Sequence, residues 1–92
     1  MEEIVKLSEI RDAICFAIGL GACGEVEQMS DENLLKCHFK EDFDLDSMDI
    51  VEITLCIENA HEVDIPNSEI EYVLSKGTVR AMYERYNELL GQ

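Results

Sequence analysis

Lysine and arginine are scarce in this chain: seven bases stand against 21 acids, for a formal charge of −14. A surface so poor in cations repels nucleic acid, because affinity for phosphates depends on neutralising them. It repels anionic lipid for the same reason. The partners left open are proteins with basic patches, met through electrostatic steering. Long apolar runs are missing too. None approaches the ~20 residues that cross a bilayer, so no membrane-spanning helix is expected. The start, Met1-Glu2-Glu3, lacks the basic region that leads a secretory signal, and the expectation is a cytoplasmic chain. At 92 residues a chain buries only about 60–65% of its unfolded surface. That suffices for one domain over 1–92 with one small core.

Cysteine occurs at positions 15, 23, 37 and 56, never with Cys-x-x-Cys spacing. Without that spacing or a sign of secretion, free reduced thiols are expected, and no metal site is. Histidine is limited to His38 and His61. A serine nucleophile needs a neighbouring base, and no such set can be named, so no catalytic residues are expected. Asp42, Asp44 and Asp46 alternate as calcium ligands do. An EF-hand loop starting at Asp42 would need Gly at position 6 and Glu at position 12; those places hold Ser47 and Ile53.

Nothing in the chain alternates as a strand does. Between Glu2 and Leu20, the residues Leu7, Ile10, Ile14, Ala17 and Ile18 form an i+3/i+4 stripe, which predicts a helix. Gly19, Gly21 and Gly24 should stop it. Glu25 to Asp46 reads as a long connection with a local helix start at Ser30-Asp31-Glu32 and anchors at Leu34, Leu35 and Phe39. Asp46-Ser47 then opens a helix to about His61, capped by either residue. Asp49 and Glu52 complement its dipole, and Pro66 closes it off. A short helix, Glu69 to Leu74, is capped by Asn67 or Ser68 and broken at Lys76-Gly77. Thr78 caps a last helix, Val79 to Leu90, with Val79, Met82, Tyr83, Tyr86, Leu89 and Leu90 on one face. The predicted fold is all-α: a small antiparallel bundle of three longer helices and one short one, with a monomer as the default.

The helix from Ser47 carries two apolar faces. Ile50, Ile53, Ile57, Ala60 and His61 make a core stripe, and Met48, Val51 and Leu55 lie rotated away from it. A surface helix needs only one such face. Either neighbours grip this helix on two sides, or the second strip docks a partner. Residues 41 to 65 hold nine acids and no Lys or Arg, so no i,i+4 ion pair offsets their repulsion; a basic partner would. Ser47 is either a cap or a hydroxyl that another protein modifies. A helix N-terminus favours a phosphate diester, and the surrounding acids would keep any attached arm pointing outward.

The run from Phe39 to Glu52, with Asp46-Ser47-Met48-Asp49 at its centre, resembles the signature of the acyl carrier protein family. The likeness continues without a gap to Ile65-Pro66 and on to Thr78-Val79. The resemblance implies that Ser47 is the attachment point of 4′-phosphopantetheine, transferred from coenzyme A by a holo-carrier synthase with Mg²⁺. Asp46 would support that transfer. The arm's thiol would carry acyl groups as thioesters, in fatty acid biosynthesis or a related acyl pathway. Met48, Val51 and Leu55 would dock acyl-processing enzymes, whose basic patches would meet Asp49, Glu52 and Glu58. A growing acyl chain could shelter between the helices. The other readings are a carrier of polyketide or aminoacyl intermediates, or an acidic interaction module that is never modified.

The sequence departs from the family pattern at four places. Asp44 stands where the family usually has Gly, so a turn needing positive φ would be made by one of the residues that tolerates it. Met48 replaces the common Leu. His61, with Glu58, Glu62 and Asp64 near it in sequence, replaces a core Phe and must find a partner or the surface. The segment Leu74 to Gly77 is a few residues longer than usual.

Overall fold

The computed structural model describes residues 4–19 and 23–91. Among them are seven helices: α1 (Leu7–Ile18), α2 (Cys23–Gln28), α3 (Asp31–Lys36), α4 (Phe39–Phe43), α5 (Ser47–His61), α6 (Asn67–Lys76) and α7 (Val79–Leu90). The described residues contain no strand, only an isolated bridge between His38 and Thr78. The all-α reading therefore holds.

The amphipathic stripes become the core. Ile10 and Ile14 of α1, Ile50, Ile53 and Ile57 of α5, and Val79, Met82 and Tyr86 of α7 are all essentially inaccessible to water. Each such side chain contributes on the order of 1.5–3 kcal/mol through burial. α1 packs against α5 and α2, α3 against α7, and α6 against both α5 and α7. Glu9, early in α1, accepts a hydrogen bond from or pairs with His61 Nε2, at the end of α5, at 2.8 Å. The two helices therefore run antiparallel.

Inside the core, the Thr54 hydroxyl meets both the Ile50 carbonyl (2.9 Å) and the Tyr86 hydroxyl (2.8 Å). Burial of the Tyr86 phenol pushes its pKa up to about 12. Asn87, also buried, accepts from the Ile4 and Val5 N–H groups and donates to the Val5 and Tyr83 carbonyls. It fastens the start of the described chain to α7.

Several expectations need correction. The connection from Glu25 to Asp46 is not one long loop: α2, α3 and α4 fill it, and only α3 starts where the sequence placed a helix start, with the Ser30 hydroxyl accepting the Asn33 N–H at 3.2 Å. Short helices are weakly periodic, and tertiary contacts hold these ones. Arg11 donates to the Val26 carbonyl and, at 2.6 Å each, to the Met29 carbonyl and the Asp31 carboxylate. One guanidinium thus satisfies the end of α2 and the start of α3. Gly19 does end α1, at φ 90°, whereas Gly24 lies inside α2. Glu2, Leu20 and Gly21, also assigned to that helix or its stop, lie outside the described residues. The helix expected over Glu69 to Leu74 runs from Asn67 to Lys76. Its cap residue is Pro66, without a side-chain bond, and not Asn67 or Ser68. Ser75 and Lys76, in the segment before Gly77, belong to this helix and not to a loop. α5 ends at Glu62, in the left-handed region at φ 54°, before Pro66 could act.

Free thiols at all four cysteines are not what the structure holds. Cys15 and Cys23 form a disulfide, and only Cys37 and Cys56 are free. The fold places the last turn of α1 against the first residue of α2, with a Cα–Cα distance of 4.9 Å, inside the range a disulfide spans. Local spacing motifs do not reveal such a meeting. Among the described residues, the one cluster of three metal-ligating side chains is Cys15, Cys23 and Glu27, and two of its three ligand atoms are joined to each other.

The turn that leads into α5 is made as the Gly-to-Asp departure requires. Asp44 caps α4 in the left-handed region (φ 55°, ψ 38°), and its N–H reaches back to the Lys40 carbonyl at 2.9 Å. A side chain in this region costs about 1–2 kcal/mol, partly offset by glycine's larger unfolded entropy. Asp44→Gly is therefore expected to stabilise the protein by about 0.5–1 kcal/mol. Urea unfolding checks this: the midpoint should rise at unchanged slope, and an equal or lower midpoint would show that the Asp44 side chain earns its place.

Candidate attachment site and docking face

α5 begins where the acidic run is densest. Asp46 is its N-cap: the carboxylate accepts the Asp49 N–H at 3.1 Å, and Asp49 Oδ2 accepts the Asp46 N–H at 3.0 Å. This reciprocal pair satisfies donors that a helix start leaves open. The cap assignment thus falls on Asp46. Ser47 is the first helical residue, exposed, and its hydroxyl serves neither cap bond.

The Asp49 N–H, first, holds the Asp46 carboxyl below the usual carboxylate range, against the opposing effect of desolvation. The Asp49 side chain, the Met48 N–H and the Lys40 charge act in the same direction. A carboxyl lowered on folding stabilises the fold above its unfolded pKa, and that contribution fades as pH falls through the lower folded value. Relative to Asp46→Asn, the native chain should be more stable at pH 7. The advantage should shrink below about pH 4, the ordinary Asp value, and vanish in strong acid. Urea midpoints of the two proteins across pH 2–7 test this, and a constant difference would contradict it.

The outer strip of α5 is open to solvent. Met48 is 75% exposed, Val51 40% and Leu55 49%. Of the two readings of that strip, a helix gripped on both sides is excluded. Its acids differ in availability. Glu52 is exposed. Asp49 is half-buried and occupied by the cap, and Glu58 is half-buried and accepts the Ile65 N–H at 2.7 Å. Both therefore spend part of their hydrogen-bonding capacity inside the fold, which periodicity could not show. On the core stripe, Ala60 is exposed and not buried. His61 has found its partner in Glu9, and not in Glu58, Glu62 or Asp64.

A cavity of about 190 Å³ opens beside Ser47. Leu45, Ile50, Val73 and Leu74 supply apolar walls, and Lys40 and Asp46 lie with Ser47 at its edge. Its shape comes from contacts distant in sequence: the Phe39 N–H donates to Gly77 O at 2.9 Å, and the Val79 N–H to Cys37 O at 3.0 Å. These bonds seat α4 on the α6–α7 turn. Sequence reasoning did not find this cavity or Lys40. It also missed Phe16 (72% exposed), which lines a second, apolar groove of about 290 Å³ with Ala13 and Cys56.

The sequence has relatives among curated proteins. A protein named "Acyl carrier protein" from Campylobacter curvus (strain 525.92) is 39% identical over 70 residues, covering 73% of this chain and 86% of the relative. One of the same name from Campylobacter concisus (strain 13826) is 43% identical over 53 residues, 54% of this chain and 69% of the relative. The chain belongs to the acyl carrier protein family. A further acyl carrier protein, from Campylobacter lari, is 43% identical over 49 residues. No protein-family model matches the chain, and no solved structure matches it significantly. Membership fits the all-α fold. No described helix is long and apolar enough to cross a membrane.

Proposed function

We propose that the chain carries acyl intermediates on a 4′-phosphopantetheine arm attached to the Ser47 hydroxyl. The observation that carries this reading is the placement of Ser47: exposed, at the start of α5, outside the Asp46–Asp49 cap, between an apolar cavity and an exposed apolar strip. When bound, the arm supplies a thiol that holds the acyl group as a thioester. The chain's own residues present and protect; they perform no catalysis. Asp46 keeps the first turn of α5 rigid, which fixes the direction of the serine Cα–Cβ bond. Leu45, Ile50, Val73 and Leu74 offer apolar cover for part of an acyl chain.

Docking follows from the same helix. Met48, Val51 and Leu55 provide the apolar contact with a holo-carrier synthase and acyl-processing enzymes. Glu52, with the outer parts of Asp49 and Glu58, meets their basic patches and speeds encounter. The net charge of −14 disfavours pairing of two copies, which supports a monomer. The nine acids of residues 41 to 65 favour an acyl load, in fatty acid biosynthesis or a related pathway, over an aminoacyl one.

The test is to incubate the unmodified chain with coenzyme A, Mg²⁺ and a broad-specificity phosphopantetheinyl transferase and record the intact mass. Addition of one phosphopantetheine is expected. A folded chain that accepts none from several transferases would leave the unmodified acidic module as the better reading.

A further inference from the structure

The start of α5 has only part of its N–H groups free for an anion on Ser47. The Asp46 carboxylate already takes the Asp49 N–H, and the Asp46 carbonyl takes that of Ile50 at 3.1 Å. Asp44, Asp46 and Asp49 surround the serine in sequence, and residues 41 to 75 contain no Lys or Arg. A diester phosphate there adds another negative charge to an acidic site, and like charges at short range repel.

One cation is placed to answer it. Lys40 lies on α4, one residue outside the acidic run. The left-handed turn at Asp44 reverses the chain, and the Leu45 N–H closes on the Phe39 carbonyl at 3.0 Å. Lys40 and Ser47 therefore border the same cavity. Lys40 is exposed and makes no ion pair within 4 Å among the described residues. Its charge nevertheless reaches Asp46, beside the serine. The other base near this cavity, Lys76, stands over the Tyr72 ring at 5.7 Å. A lysine ammonium is a compact charge on a flexible stem, able to follow a phosphate whose tether rotates.

We propose that Lys40 is the counter-charge for the diester phosphate of the arm on Ser47. It draws the arm across the mouth of the cavity toward Val73 and Leu74, where the acids alone would send it outward. This rests on Ser47 being the attachment point. Lys40 is a positioning residue: it orients the arm and takes no part in a reaction.

The experiment uses native protein, Lys40→Gln, Lys40→Arg and Lys76→Gln, each with and without the arm, loading being verified by intact mass. Thermal unfolding at low and high salt reads the effect of the arm on each. The arm should raise the Tm of the native chain by about 2–6 °C more than that of Lys40→Gln, the size expected for one exposed ion pair. The difference should shrink at high salt. Lys40→Arg should restore it, and Lys76→Gln should behave as native. The Lys40 side-chain NMR signals should also shift on loading. An equal arm effect in native protein and Lys40→Gln, with unmoved Lys40 signals, would overturn the proposal while leaving Ser47 as the attachment point. Failure of every folded variant to load would overturn both.

Discussion

Ser47→Ala takes up no phosphopantetheine under conditions that load the native chain completely, and it keeps its fold. The first half of this expectation follows from chemistry: the hydroxyl oxygen is the only atom of residue 47 able to form the phosphodiester. The second half follows from position. Ser47 is exposed at the first helical position, while the cap bond belongs to Asp46. Alanine is the best helix former, so the change in stability should stay within about 0.5 kcal/mol. Intact mass and urea unfolding, measured on the same samples, separate the two halves. A Ser47→Ala chain that still gains the arm would move the attachment to another residue. One that unfolds would give Ser47 a structural role that its exposure does not show.

Asn87→Ala is expected to cost about 2–4 kcal/mol, because four backbone bonds, two of them to the buried Val5, are lost together. The Asn87 carboxamide oxygen accepts from Ile4 N at 2.7 Å and Val5 N at 2.8 Å. Its nitrogen donates to Val5 O at 3.0 Å and Tyr83 O at 2.8 Å. Val5 is fully buried and Asn87 nearly so, so water cannot easily replace these bonds. A loss of this size is a large share of the roughly 5–15 kcal/mol that holds a small domain together. Urea unfolding gives the magnitude, and hydrogen exchange of the Val5 amide gives the location. A loss below about 1 kcal/mol with Val5 still protected would show that the segment before α1 is held by packing alone.

Asn87 also shows why part of the fold was illegible beforehand. On a helix wheel it is one polar residue beside Tyr86, with nothing to mark its partners more than 80 residues away. Arg11 is similar. Its three acceptors lie 15 to 20 residues on, and they tie the end of α2 to the start of α3, a stretch in which only the α3 start at Ser30 was legible from local sequence. Cys15 and Cys23 carried no spacing motif, yet the packing of α1 on α2 brings them together. Lys40 lies one residue outside the acidic run, where no local pattern links it to Ser47, and only the turn at Asp44 brings it back to the same cavity.

The long helices, by contrast, were legible, because each is fixed by information within a few turns. The stripe Ile50, Ile53, Ile57 and the cap at Asp46 specify α5 from either end. Thr78 and the Val79–Met82–Tyr86 spacing do the same for α7, and the Thr78 hydroxyl does accept the Ala81 N–H at 3.1 Å. The second apolar strip, Met48–Val51–Leu55, could be named from its phase on the helix, and its exposure then excluded a helix gripped on both sides. The positive φ at Asp44 was likewise legible, from the family's usual glycine.

Sequence by itself therefore determined the helical class, the serine at the start of α5, its acidic surroundings and the apolar strip beside it. These depend on neighbours within about two turns, where composition and spacing carry the physics. Tertiary structure alone decided which acids are free to meet a partner, where a cavity opens, which cysteines are joined and which cation stands by the serine. Those outcomes depend on groups brought together by burial and chain reversal, and no local pattern encodes such distances.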